Sequence, residues 1–67
     1  MTKSRLNKIF EALLRKLNEQ ESTIWHKLCL AIDQSMKERR NANLDDLLCY
    51  LEDPSIRTAH SLKVTLE

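Results

Sequence analysis

Leu6, Ile9, Phe10, Leu13, Leu14 and Leu17 recur at intervals of three, four and seven residues, the period at which side chains line one face of an α-helix. Nothing in the chain breaks that habit early. Glycine is absent and the single proline is Pro54, so helices joined by short connections are the natural outcome. The first helix is expected to start after Thr2 or Ser4, either of which can cap it. Arg5, Lys8 and Arg15 lie away from the stripe, and Glu11 and Arg15 form a favourable i, i+4 pair.

A second stripe follows the break at Asn18–Ser22. Asn18 with Glu21, or Ser22 alone, can cap it, and Ile24, Trp25, Leu28, Ala31, Ile32 and Met36 share its face. Cys29 and Leu30 widen that face, and Leu30 falls outside the main stripe. Trp25 stands at the helix start, where its ring can lie on helix one while the indole N–H reaches water. Asn43 reads as the cap of a third helix, with Asp45 and Asp46 in its first turn and Leu44, Leu47, Leu48 and Leu51 on its apolar face. Asp53-Pro54 ends that helix and is expected to open a fourth, with Asp53 as cap and Pro54 at the first helical position. Residues 62–66 alternate in the manner of a short strand, but a helix is the favoured reading.

The pattern therefore predicts a single all-α domain over residues 1–67: three to four short helices, a helical hairpin followed by a C-terminal helix pair. A chain of 67 residues buries only roughly 60% of the surface it exposes when unfolded. That shortfall, with the apolar surface at Leu30, predicts a homodimer that completes the core through helices one and two. Leu6, Phe10, Leu13, Leu17, Trp25, Leu28 and Ile32 are the expected core or dimer-seam residues.

Chemistry is sparse. Without glycine there is neither a phosphate-cradling loop nor a glycine nucleophile elbow. His26, Cys29, Cys49 and His60 are the inventory of a zinc site, but no Cys-x-x-Cys knuckle organises them, and the two cysteines read better as small core residues. No enzyme, metal or cofactor is expected. Two cysteines are too few for a secreted disulfide framework and fit the cytoplasm. No apolar run approaches the roughly 18 residues of a membrane span.

Charge is where function shows. Residues 1–40 hold nine Lys/Arg against five Asp/Glu, a net of +4, and residues 41–67 hold two against five, a net of −3. A basic front half would be the part to meet a polyanion, with Lys37, Arg39, Arg40, Arg5 and Lys8 as the phosphate-contacting candidates. The same asymmetry also suits oppositely charged faces that associate. Lys37, Arg39 and Arg40 further offset the negative end of their own helix dipole, so replacing Arg39 and Arg40 is expected to leave folding intact.

Arg5-Leu6, Leu13 or Leu14, Glu19-Gln20, Ile24-Trp25, Arg39-Arg40 and Asn43-Leu44 resemble the N-terminal helical segment of archaeal and eukaryotic large-subunit ribosomal protein eighteen-e. That family has Ile-Trp early in a helix, then a basic run, then an Asn-Leu step. The resemblance covers residues 5–50 and implies a helical module lying on structured RNA, with Lys37, Arg39 and Arg40 on phosphates. The chain departs from the family at Asp45 and Asp46, where the family is small or basic, and it lacks the family's glycine-rich β portion. Two functions are thus expected to compete: association with RNA or DNA through a basic helix end, which is the favoured reading, and, as the alternative, a homodimeric module that regulates or sequesters a protein partner.

Overall fold

A computed structural model describes residues 2–40 and 42–67, with side chains described from Arg5 onward. It contains α1 (Thr2–Asn18), α2 (Thr23–Glu38), α3 (Leu44–Glu52) and α4 (Ile56–Leu66). The expected Thr2 or Ser4 side-chain cap falls outside the described side chains. At α2 it is Ser22 that caps, its Oγ accepting the Ile24 N–H at 3.3 Å. Asn43 caps α3 by accepting the Asp45 N–H at 3.1 Å.

The fourth helix starts two residues later than expected. Ser55, not Asp53, is its cap: Ser55 Oγ accepts the Thr58 N–H at 3.2 Å and pairs with Thr58 Oγ1 at 2.9 Å. Asp53 instead closes α3, its N–H donating to Cys49 O at 2.9 Å. Pro54 enforces the split, because the residue before a proline is driven out of the helical region, and Asp53 sits at φ −136°, ψ 85°. The tail is helical to Leu66, as favoured, with no strand among the described residues.

α1 packs on α2 and α3, and α4 also packs on α2 and α3, so the helices form a closed ring with α2 and α3 on its diagonal. The four-residue connection between α1 and α2 makes those two antiparallel. The core runs down the middle and takes Ile9, Phe10, Leu13 and Leu17 from α1 and Trp25, Leu28 and Ile32 from α2. Leu47 and Tyr50 of α3 and Ala59, Leu62 and Leu66 of α4 complete it. Every residue expected as core or dimer seam is inside one chain, with Leu6 partly buried at the margin. The Cα radius of gyration, 10.6 Å, is that of a compact chain of this length, about 11 Å. The stripes of α1 and α2 are therefore spent within the molecule, and any self-association must use other residues.

Two assignments on α3 change. Leu48 is 38% exposed and Cys49 is exposed, whereas Tyr50 is completely buried. Tyr50 shares the inward side of α3 with Leu47, three residues before it, while Leu48 and Cys49 are turned away. The Trp25 ring neighbours Tyr50 across the diagonal, with centroids 5.8 Å apart and planes tilted by 55°, a geometry aromatic pairs favour.

The Tyr50 hydroxyl has no hydrogen-bond partner, and burial pushes its pKa up to about 12 from 10.0. A buried unsatisfied hydroxyl costs about 1–3 kcal/mol. Tyr50→Phe should therefore stabilise the protein by about 1 kcal/mol, read as a rise of roughly 4–8 °C in thermal midpoint. Between pH 10 and 12 the unfolded tyrosine gives up its proton while the folded one keeps it, so unfolding gains on folding as pH rises. Across that window the wild type should lose roughly 2 kcal/mol relative to Tyr50→Phe, checked by chemical denaturation of both at stepped pH.

Candidate functional site

The basic run begins where α2 has to stop. With no glycine available, Arg39 itself takes the left-handed conformation, φ 55° and ψ 41°, and ends the helix. Its N–H and that of Arg40 both turn back onto the Ser35 carbonyl. This leaves Arg39 exposed and without an ion pair among the described residues, whereas its neighbours are engaged. Lys37 Nζ lies 3.3 Å from Asp33 Oδ2, one turn earlier on the same helix.

Arg40 is the most heavily engaged of the three. Its Nη1 donates to the Leu66 carbonyl at 2.9 Å and the Glu67 carbonyl at 2.7 Å, while Nε pairs with Glu38 Oε2 at 2.8 Å. Buried Ser35 adds a donation from Oγ to Leu66 O at 3.4 Å. The last carbonyls of a helix have no partner within it, and here α2 and the residues just after it supply partners to α4. Lys16 of α1 does the same for α3, its Nζ donating to Leu51 O. The basic front half thus clamps the C-terminal ends of the acidic back half, and Thr65 adds a hydroxyl donation to Asp46 Oδ2 at 2.9 Å.

Arg5 and Lys8 are exposed on α1 and carry no ion pair among the described residues; Glu11 and Arg15 are likewise not within ion-pair distance there. Because α1 and α2 are antiparallel, Arg5 and Lys8 fall at the same end of the hairpin as Lys37, Arg39 and Arg40. The five candidates are gathered at one end, but only Arg5, Lys8 and Arg39 are uncommitted. Leu30 at 59%, Ile56 at 57% and Val64 at 73% are large apolar side chains left outside the core. They stand on α2 and α4, which pack against each other. Leu30 carries a sequence signal, since it lies off its own stripe. Ile56 and Val64 carry none, because the apolar period of α4 is too loose to show which side faces out.

Two clefts among the described residues bear on possible chemistry. One of about 230 Å³ lies between the ends of α2 and α4, lined by Ala31, Gln34, Ser35, Arg40, Leu66 and Glu67. The other, about 330 Å³, lies at the α1–α2 turn and includes Asn18, Glu21, His26 and Cys29. There the Cys29 thiol is directed at Asn18 Oδ1, 3.8 Å away. The two thiols are free, Cys29 half-buried against the core and Cys49 exposed. No group of three or more His, Cys, Asp or Glu residues suited to a metal occurs among the described residues.

The engagement of Arg40 changes what its replacement does. Arg40→Ala should unfasten the end of α4 and cost about 1 kcal/mol, lowering the thermal midpoint by roughly 4–8 °C. Arg39→Gly should act in the opposite sense, gaining about 0.5–1 kcal/mol because glycine enters the left-handed region freely. Thermal melts of the two single variants followed by circular dichroism check both signs. Compared with known proteins, the chain matches no family model, no curated protein and no solved structure.

Proposed function

We propose that the protein is a small helical protein–protein interaction module, acting in the cytoplasm, where its two thiols stay reduced, and regulating or sequestering a protein partner. The observation that carries this reading is that three large apolar side chains, Leu30, Ile56 and Val64, stay exposed on two helices that pack together. Each exposed apolar side chain gains by leaving water on contact with another surface, and three of them are a large share for a chain of 67 residues. The same geometry weakens the polyanion reading, since Arg40 of the basic run is tied to the end of α4, although Lys37 pairs with Asp33 only at the exposed surface. No helix among the described residues is long and apolar enough to cross a membrane.

A second reading, association with structured RNA or DNA, keeps one specific support: Arg5, Lys8 and Arg39 stand uncommitted at the same end of the α1–α2 hairpin. The resemblance to ribosomal protein eighteen-e points the same way. Phosphate contacts release condensed counterions, so such binding falls steeply with salt. Gel retention of duplex DNA and structured RNA at about 50 mM salt, where these contacts are strong, separates the readings. The interaction-module reading predicts no retention at micromolar protein. Retention that weakens steeply with salt and is lost on replacing Arg5, Lys8 and Arg39 with alanine would establish the nucleic-acid reading in its place.

A further inference from the structure

The exposed side chains of α2 fall in one register. His26, Lys27, Leu30, Asp33, Gln34 and Lys37 are all exposed, while Trp25, Leu28, Ile32 and Ser35 are buried on the opposite side. Spacings of three, four and seven hold the exposed set in a stripe along the outward face of the helix. Leu30 is its midpoint and its one large apolar residue.

The order of charges along this stripe is complementary to its own reverse. Lys27 and Asp33 each lie three residues from Leu30, on opposite sides. His26 and Gln34 are each four away, and exposed Thr23 and Lys37 each seven. When two such helices run antiparallel and cross at Leu30, every residue comes level with the one at equal distance on the other side, and off-centre side chains reach it across the seam. Cation then meets anion twice, and no two like charges come opposite each other. This is the requirement of a two-fold interface, in which one patch must complement itself.

We infer that α2 is the seat of a symmetric dimer with a second copy of this chain. Its antiparallel helices cross at Leu30, which packs on the partner's Leu30. Lys27 pairs with the partner's Asp33, and Asp33 with the partner's Lys27. The inference rests on the interaction-module reading and names its first partner. The bridge from Lys37 to Asp33 does not compete strongly, because both side chains are largely exposed, at 76% and 51%, and such pairs hold loosely. One helix pair buries less than the roughly 1,200–2,000 Å² of a standard interface, so the dimer is weak, dissociating at about micromolar concentration.

Charge exchange tests the register directly. Sedimentation equilibrium across roughly 1–500 µM, a range that brackets such a constant, should show the 7.9 kDa chain passing to twice its mass. Lys27→Glu alone and Asp33→Lys alone should each weaken the dimer about tenfold. Mixing those two single variants should restore it, as should the double variant Lys27→Glu/Asp33→Lys, because opposite charges face each other again in both. Leu30→Glu should abolish association, and circular dichroism should show all variants as helical as the wild type. If the wild type stays monomeric throughout, or dimerises with an affinity that none of these changes moves, the inference is overturned. Gel retention of nucleic acid tests the broader reading separately, since its outcome does not depend on α2 pairing with itself.

Discussion

Tyr50 touches Trp25 across a diagonal of the ring that no backbone packing spans. α2 and α3 are not neighbours, so their large side chains must meet in the middle or leave a hole there. The aromatic pair fills that space, and Tyr50, Phe10, Leu13, Leu28, Ile32, Leu47 and Leu62 are all fully buried around it. A chain this short has little spare core, and a void of even one methylene is felt in a close-packed interior. Tyr50 nonetheless carries a hydroxyl with no partner, a cost the fold bears in return for the volume and edge of the ring.

Charge performs the second structural task. The +4 of the first forty residues and the −3 of the rest suggest a polyanion site when read along the chain. In three dimensions part of that difference is internal. Lys16 and Arg40 reach out from the hairpin to satisfy the terminal carbonyls of α3 and α4, where positive charge is also favoured by the helix dipoles. The hairpin and the helix pair are thereby joined at both ends as well as through the core. Among the described residues, the surface these two tasks leave unused includes Arg5, Lys8 and Arg39 at one end and exposed apolar residues on α2 and α4.

The fold is legible in the sequence wherever the signal is local. The α1 and α2 stripes, the Asn43 cap, the alternative Ser22 cap and a helical tail can all be read within a few residues. The differences have a common cause, which is distance along the chain. Asp53 and Ser55 are both good caps, and only the effect of Pro54 on the residue before it decides between them. Cys49 reads as core, and Tyr50 stays out of the apolar face assigned to α3, because the phase of that helix is set by its packing on α1 and α4. Arg40 reads as a free cation because its partners are 26 and 27 residues away. The hairpin stripe reads as a dimer seam because nothing within the hairpin shows that α3 and α4 will cover it. Leu30 is the exception, its exposure following from its own position on the helix.

One chain closes its own core around the Trp25–Tyr50 pair, and a double-mutant cycle measures this most directly. Trp25→Leu, Tyr50→Leu and the double variant are compared with the wild type by chemical denaturation at a concentration too low for association. If the rings meet as described, the two single losses should overlap, leaving a coupling of about 0.5–1.5 kcal/mol. Losses that simply add would place the two rings apart and contradict the closed ring of helices.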